Sequence, residues 1–280
     1  MSGHPVVSGT SDAAAAGFGL LSGRNRLTHR KGSGPYHQRM TTFALVHGGW
    51  HNAWCWELLT PLLQQEGHDV VAMDLPCDDG SASFESYADV VCAALDGCDD
   101  DVVLVGHSLG GHTIPLVAAR RPIRHLVYLC ALVPDIGRSV FDQMSDEPHM
   151  LNPVYETGVE LGGQFRQVWV DIDVARAMFY NDCDEPAVEA AFKRLRSQAA
   201  YPCTVRFSLA EFPTVRCTYV ICTEDQILGL EWARRTARDR LGADVIELPG
   251  GHSPFFRDRR LIPTCCLRLA GEEQRGSCAR

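Results

Sequence analysis

The stretch VVLVGHSLGGHT, residues 102–113, decides the fold of this chain. Its leading aliphatic residues end at Gly106, and Ser108 then stands among three glycines. A serine held in a tight turn between a strand and a helix needs neighbours without bulky side chains, and such a turn lifts its hydroxyl clear of the sheet. The stretch therefore predicts a buried strand, a sharp turn at Ser108 and a helix after it.

Six short apolar runs predict the strands of one sheet. They are continuous rather than alternating, which is typical of strands covered on both faces. The runs are FALV (43–46), DVVAM (69–73), DVVLV (101–105), HLVYLC (125–130), CTYVIC (217–222) and DVIEL (244–248). Helix-like segments lie between them, among them WCWELLTPLLQQEG, SFESYADVVCAALDG with Ser83 as a candidate cap, and EWARRTARDRLG. This order predicts an α/β fold with a mainly parallel sheet of about six strands flanked by helices.

The alternation of strands and helices breaks in residues 134–212, a segment too long for one crossover. The segment contains the helical patterns DVARAMFYND and PAVEAAFKRLRSQ, and Pro186 suits the first turn of the second. We therefore expect a helical cap inserted at residues 134–212, and a core formed by residues 41–133 and 213–256.

The two ends of the chain differ from the core in composition. Residues 1–40 are rich in Gly, Ser, Ala, His and Arg without sustained periodicity, which predicts a flexible leader. Residues 257–280 carry little helical amphipathicity, so we expect an atypical tail that is loosely ordered at its end.

Charge and cysteine usage exclude several classes of protein. A net charge of −9 argues against a general nucleic-acid binder, and the sequence has no apolar run long enough for a membrane span. The twelve cysteines include no paired CxxC pattern, and several lie in apolar runs. We expect them to be buried thiols in a reducing environment, which favours a cytoplasmic location. The sequence does not decide the oligomeric state, although a homodimer remains open.

A serine hydroxyl is a poor nucleophile unless a base takes its proton, and three histidines are the main candidates. His107 is adjacent to Ser108, and a residue next to the serine generally points elsewhere. His112 falls in the following helix, where a packing role is expected. His252, in ELPGGHSPF, comes just after the last strand and follows two glycines. We therefore predict His252 as the base.

The base needs an acid to orient it. VICTEDQIL places Glu224 and Asp225 just past the fifth strand, and Asp225 precedes the final strand and histidine in the order serine, acid, histidine. Glu224 is the near alternative, and Asp135 is a more distant one. Asp74, in VVAMDLP, is expected to hold the loop after its strand. The carboxyl ends of parallel strands share one edge of a sheet, so residues far apart in sequence can meet there.

The loop LVHGGWHNAWCW follows the first strand and supplies candidate donors for an oxyanion. The backbone N–H groups of Gly49 and Leu109 are the natural pair, because glycines at 48 and 49 let the backbone approach closely. His47 and His51 have the spacing of metal ligands on a helix. The segment is broken by glycine, however, and no carboxylate or cysteine completes a ligand set, so we expect no metal.

Together, LVHGGWHNAWCWELLTPLLQQEGHDVVAMDLP, GHSLGG, CTED and LPGGHSPF resemble the α/β-hydrolase superfamily over residues 42–256. Within it they are similar to plant methyl esterases and hydroxynitrile lyases and their bacterial relatives. The resemblance implies Ser108 as nucleophile, His252 as base and Asp225 as acid.

The resemblance also carries over to the oxyanion-hole positions, which match Gly49 and Leu109.

This sequence departs from that of the lyases at two positions. They carry a threonine after the first histidine of the loop and a lysine after the catalytic histidine, where this chain has Gly48 and Ser253. A cation there would stabilise a leaving cyanide, so its absence favours hydrolysis. Members usually continue into an amphipathic helix after the catalytic histidine, which the tail does not resemble.

These patterns predict a serine hydrolase that cleaves a small carboxylic ester without a cofactor, and small-molecule esters rather than macromolecules as partners. A carbon–carbon or cyanohydrin lyase and a ligand sensor of the same fold are the alternatives. We expect apolar side chains of the cap to roof the pocket, although about half of them could instead only pack the cap onto the sheet. They are Phe165, Trp169, Met178, Phe179 and Phe192.

Overall fold

The computed structural model of the protein describes residues 40–256. Its strands in this range are β1 (Thr42–Val46), β2 (Asp69–Ala72), β3 (Val102–His107), β4 (His125–Leu129), β5 (Val159–Gly162), β6 (Arg166–Trp169), β7 (Gln198–Ala199), β8 (Cys217–Cys222) and β9 (Asp244–Leu248). Six of them form a parallel sheet in the order β2-β1-β3-β4-β8-β9. Each of the six predicted strands is confirmed to within two residues at either end.

The burial of the strands explains why their sequences are continuously apolar. Strands β1, β3 and β4 are buried at every position, because helices cover both faces of the middle of the sheet. The edge strands β2 and β9 are largely half-buried or exposed. A continuous apolar sequence therefore indicates burial on both faces for the central strands, but not for the edge strands.

The strand order reverses between β1 and β3. The chain passes from β1 to β2 on one side and then returns to place β3 on the other side of β1, in register from Thr42 opposite Val102 to Val46 opposite Gly106. In open parallel sheets, ligands bind outside the carboxyl ends of the strands at such a switch point. The loop after β1 and the turn after β3 meet there.

The helices of the described residues are α1 (Thr60–Gln65), α2 (Phe84–Ala94), α3 (Ile114–Ala118), α4 (Val140–Asp146), α5 (Ile172–Phe179), α6 (Glu185–Phe192), α7 (Tyr201–Thr204) and α8 (Leu230–Asp239). Ser83 caps α2 as predicted, since its hydroxyl accepts the N–H of Ser86. Helix α2 buries Phe84, Tyr87 and Val91.

The segment predicted as a helical cap contains α4 to α7 and also a sheet that the sequence did not predict. Strands β5, β6 and β7 form an antiparallel sheet of three strands in that order. Strand β5 is mostly exposed and β7 has two residues, so neither carries a clear apolar pattern. The insertion is therefore a mixed helix and strand segment.

Some predictions lie outside the described residues. These are the leader at residues 1–40, apart from Met40, and the tail at residues 257–280. Within residues 40–256, no helix is both long enough and apolar enough to cross a membrane.

The glycine at position 111 provides a test of how tightly the turn after β3 is packed. A Cβ on Gly111 would lie 2.1 Å from the carbonyl oxygen of Leu132, whereas a Cβ on Gly163 in the cap would meet nothing within 4 Å. We expect Gly111→Ala to lower the free energy of unfolding by about 3 kcal/mol, at the upper end for an overpacked core. Gly163→Ala is the matched control and should change it by less than about 0.5 kcal/mol. Urea denaturation measures both, and equal midpoints for the two variants would contradict this packing.

Candidate active site

Ser108 lies in a strained turn directly after β3. Its φ angle is +51°, a left-handed conformation that residues other than glycine seldom adopt. A short 3-10 helix runs from Ser108 to His112, and the N–H of Leu132 donates to the Ser108 carbonyl oxygen at 2.9 Å. Strain of this kind persists only where the surrounding structure imposes it, and it is frequent at functional sites.

The turn is strained because the backbone around it is packed without room for side chains. A Cβ on Gly48 would lie 2.7 Å from the Cβ of Ser108, and a Cβ on Gly110 would lie 2.9 Å from the carbonyl oxygen of Val46. The loop after β1 therefore presses directly against the serine turn. This contact is the close backbone approach expected from the glycine-rich sequence.

His252 and Asp225 form a buried pair. Asp225 Oδ2 lies 2.8 Å from His252 Nδ1, and the two side chains are 7% and 0% exposed. Asp225 Oδ1 accepts the N–H groups of Ile227 and Leu228 at 2.7 and 3.0 Å, which fixes the carboxylate. Because this carboxylate is placed as an acceptor, Nδ1 of His252 carries its proton and Nε2 presents a lone pair.

Nε2 of His252 has no hydrogen-bond partner among the described residues, so the serine–histidine bond is not formed here. The two residues are linked through His107, which directly precedes Ser108. His107 Nε2 donates to the carbonyl oxygen of His252 at 2.9 Å, and the two rings lie 4.8 Å apart. Catalytic hydrogen bonds are often long in unliganded enzymes and tighten only with substrate. His107 thus holds His252 in place through this hydrogen bond.

The other candidate acids do not contact His252. Glu224 is exposed, and Asp135 lies 3.8 Å from both Arg138 and Arg240. Asp74 Oδ1 accepts the N–H of Ala53 at 2.8 Å, so it holds a loop.

His112 packs as expected from its place after the serine turn. Its ring stacks on Phe84 with centroids 4.9 Å apart, and burial lowers its pKa to about 3.

Gly49 and Leu109 lie next to each other at the switch point. A Cβ on Gly49 would be 3.5 Å from Leu109 Cδ2. Leu109 is the second residue of its short helix, where an N–H has no partner within the helix. The N–H of Gly49 makes no hydrogen bond to another residue in the range 40–256. Both amides are therefore available to an oxygen atom at this edge of the sheet.

The two histidines of the loop after β1 hold its backbone. His47 Nδ1 donates to the Gly48 carbonyl oxygen at 2.8 Å, and its Nε2 accepts the N–H of Leu75 at 2.9 Å. His51 Nδ1 donates to the Gly49 carbonyl oxygen at 2.8 Å, and its Nε2 accepts the hydroxyl of Tyr180 at 2.9 Å. Both nitrogens of each ring are occupied, so neither ring has a nitrogen left for a metal ion. Sequence spacing alone did not reveal this supporting role.

Aromatic side chains of the segment predicted as a cap pack near His252. Phe179 lies 5.7 Å from the His252 ring and 4.9 Å from Trp169, and Trp50 lies 5.8 Å from Trp169. The structure therefore brings two of the expected pocket residues, Trp169 and Phe179, to the site. Phe165 does not join them, because it is 72% exposed on the turn between β5 and β6.

A model of the alpha/beta hydrolase family matches residues 43–264. The chain belongs to the alpha/beta hydrolase family. It is 38% identical to methylesterase 9 of Arabidopsis thaliana, over 82% of this chain and 98% of that protein. It is 27% identical to an alpha-hydroxynitrile lyase of the same plant, over 76% and 90%. The crystal structure of a pyrethroid hydrolase from Sphingobium faniae shares the fold with a TM-score of 0.75 and 21% identity, over 85% of this chain and 100% of that one. The resemblance expected from the sequence is confirmed.

In this alpha/beta hydrolase, a cap segment that the sequence analysis missed joins the site's loops. Tyr180 binds His51, as described above, and Asn181 Nδ2 donates to the Glu224 carbonyl oxygen at 3.0 Å. Asp182 Oδ2 accepts the N–H of Gly251 at 2.8 Å. These three consecutive residues thus reach the loops that carry Gly49, Asp225 and His252. The sequence of residues 180–182 contains no motif that indicates this role, which depends on where α5 ends.

The buried histidines of this alpha/beta hydrolase make its stability depend on pH. Burial lowers the pKa of His51 from 6.5 to about 3. As the pH falls below 6.5, the unfolded chain therefore takes up a proton that the folded chain does not, and the free energy of unfolding decreases. We expect His51→Gln to make this decrease shallower by about 1.4 kcal/mol per pH unit between about pH 6 and pH 4.

Urea denaturation at several pH values measures this slope. The control is Tyr180→Phe, which removes the hydroxyl bonded to His51 but retains the buried imidazole. It should lower stability at every pH and keep the wild-type slope. A His51→Gln slope equal to the wild-type slope would show that this imidazole does not titrate as described.

Proposed function

We propose that this protein is a serine hydrolase that cleaves small carboxylic esters through an acyl-enzyme on Ser108. The observation that carries the proposal is the buried Asp225–His252 pair, whose free Nε2 belongs to a histidine held beside the strained serine turn. The methylesterase and pyrethroid hydrolase among its relatives support ester cleavage as the reaction class.

In the first step, His252 Nε2 takes the proton of the Ser108 hydroxyl while the Oγ atom attacks the ester carbonyl carbon. The carboxylate of Asp225 stabilises the imidazolium that results. It also keeps Nδ1 protonated, so that Nε2 faces the serine as a base. The hydrogen bonds from Ile227 and Leu228 prevent the carboxylate from rotating away.

The tetrahedral intermediate carries a negative charge on the former carbonyl oxygen. The N–H groups of Gly49 and Leu109 donate to this oxygen, in a backbone frame that does not need to reorganise during the reaction. His252 then gives its proton to the leaving alcohol. In the second half of the reaction it activates a water molecule that hydrolyses the acyl-enzyme. The proposed steps need no metal and no cofactor.

A lyase is the second candidate, because one relative is an alpha-hydroxynitrile lyase. The residue directly after His252 is Ser253, which is buried and uncharged, so this position offers no cation for a leaving cyanide. Product analysis with mandelonitrile separates the two reactions, since a lyase releases benzaldehyde and cyanide. A ligand sensor would bind an ester without turnover.

Removal of the serine hydroxyl tests the proposed nucleophile. We expect a fluorophosphonate probe to label the wild type and p-nitrophenyl acetate to be hydrolysed, and Ser108→Ala to abolish both. The rate should fall at least about a thousandfold, because the attacking atom is lost. The matched control is Ser81→Ala, which removes an exposed hydroxyl bonded to Asp79 and should leave both signals intact. Labelling of Ser108→Ala at the wild-type level would refute the proposal.

Asp182 tests whether the cap positions the base. Asp182→Ala removes the acceptor for the Gly251 N–H, so the loop before His252 loses an anchor. We expect kcat for p-nitrophenyl acetate to fall about tenfold while KM changes less than about twofold, since a small misplacement of a reacting group slows chemistry. Asp182→Asn keeps an acceptor oxygen and should restore most of kcat. Equal values of kcat for the two variants would argue against the positioning role.

A further inference from the structure

The loop after β1 contains a peptide bond whose orientation is not set by side-chain sterics. It joins Gly48 to Gly49, and its N–H is the one proposed above as an oxyanion donor. Neither residue has a Cβ atom, so the backbone on both sides of this bond has the greatest conformational freedom that a chain offers. An oxyanion donor is effective only when it is held in one direction before the reaction. Some other contact must therefore fix this peptide.

The ring of His47 contacts this peptide from its carbonyl side. His47 Nδ1 lies 2.8 Å from the Gly48 carbonyl oxygen, and Nε2 lies 2.9 Å from the backbone nitrogen of Leu75. Burial lowers the pKa of His47 to about 4, so the ring carries a single proton at neutral pH. A backbone N–H can only donate, so Nε2 is the acceptor and the proton is on Nδ1. His47 therefore donates to the Gly48 carbonyl oxygen.

The planarity of the peptide group converts this contact into an orientation of the Gly49 N–H. Residues 40–256 contain no cis peptide bond, so the Gly48 C=O and the Gly49 N–H lie in one plane and point in opposite directions. The hydrogen bond from His47 holds the carbonyl, and it thereby directs the Gly49 N–H away from the His47 ring. The direction of this N–H is thus set through the carbonyl of its own peptide group.

The ring of His47 is itself held between two anchored loops. His47 and Leu75 are both buried. The Leu75 carbonyl oxygen accepts hydrogen bonds from the N–H of Cys77 at 2.8 Å and from Nη1 of Arg196 at 3.2 Å. The backbone N–H of Arg196 donates to the Trp50 carbonyl oxygen at 2.7 Å. Arg196 therefore joins the loop after β1 to the loop after β2, and the imidazole bonds to both.

The hydrogen bonds on either side of His47 run in one direction. The Leu75 N–H donates to His47, and His47 donates to the carbonyl of the peptide whose N–H belongs to Gly49. Hydrogen bonds in such a chain polarise one another, so a carbonyl that accepts a bond makes the N–H of its peptide a stronger donor. The chain therefore strengthens the Gly49 donor as well as orienting it.

We propose that His47 is a positioning residue of the oxyanion hole, which directs the Gly49 N–H at the substrate carbonyl oxygen through its hydrogen bond to the Gly48 carbonyl. The proposal rests on the function proposed above, in which Gly49 stabilises the oxyanion. In this role His47 does not touch the substrate. Its loss should slow the chemical step more than it weakens substrate binding, because the charge on this oxygen develops only in the transition state.

Two substitutions separate the two hydrogen bonds of His47. His47→Asn keeps a donor near the position of Nδ1, whereas His47→Gln keeps an acceptor for Leu75 near the position of Nε2 and loses the donor to Gly48. We expect His47→Gln to lower kcat for p-nitrophenyl acetate about a hundredfold, with KM changed less than about twofold. His47→Asn should retain kcat to within about tenfold of the wild type.

A thionoester shows whether the lost rate belongs to the oxyanion hole. In O-(p-nitrophenyl) thionoacetate the charge develops on sulfur, which is a weak hydrogen-bond acceptor. His47→Gln should therefore lower kcat for this substrate less than about threefold, and the wild-type preference for the oxygen ester should largely disappear.

The matched control is His125→Gln. His125 is also buried, and burial lowers its pKa to about 4 as well, but it begins β4 at the opposite edge of the sheet. This variant loses a buried imidazole without touching the loop after β1, so it should keep the wild-type preference for oxygen over sulfur.

A wild-type preference for oxygen in His47→Gln would overturn the proposal, and so would equal losses of kcat in His47→Asn and His47→Gln. If the wild type hydrolyses neither ester, the proposed function fails and this role fails with it. If His47→Gln does not fold, NMR of the wild type gives the answer. A phenylboronic acid adduct on Ser108 should shift the resonances of the Gly49 N–H and the His47 Nδ1–H together. A shift of the first without the second would contradict the proposal.

Discussion

The strained backbone of Ser108 is the constraint on which the rest of the site depends. Its left-handed conformation requires that the loop after β1 and the segment after β4 approach it without intervening side chains. That approach is possible at Gly48 and Gly111, which lie against Ser108 and Leu132. The same contact brings Gly49 next to Leu109. The turn that carries Ser108 therefore also brings together the two residues that we propose as oxyanion donors.

The segment that we predict as a cap contributes to this arrangement through hydrogen bonds to the core loops. The end of α5 continues into Tyr180, Asn181 and Asp182, which bond to three separate loops of the core. A displacement of this segment would therefore disturb the positions of all three loops together. Phe179, the last residue of α5, also packs on the His252 ring, so the same short segment contacts both His252 and the loops around it.

The sequence predicted the parallel sheet because its central strands are buried on both faces. It predicted Ser108, Asp225 and His252 as site residues because each follows a strand of that sheet. The small sheet β5-β6-β7 was not predictable in this way, since its strands have only two to four residues and β5 is mostly exposed. The expected pocket position of Phe165 depended on which way a cap turn faces, which no local pattern encodes.

The histidines around Ser108 show that closeness to the serine in sequence does not identify the candidate base. Burial lowers the pKa of His47, His51 and His107, so each remains neutral and serves as a fixed hydrogen-bonding group. His252 is as deeply buried as they are, but Asp225 lies against its Nδ1. A positive charge formed on His252 therefore meets a carboxylate, whereas one formed on His107, next to the serine in sequence, would face desolvation and other imidazoles. Asp225, which the loop after β8 places beside His252 Nδ1, therefore distinguishes His252 as the candidate base from the other buried histidines.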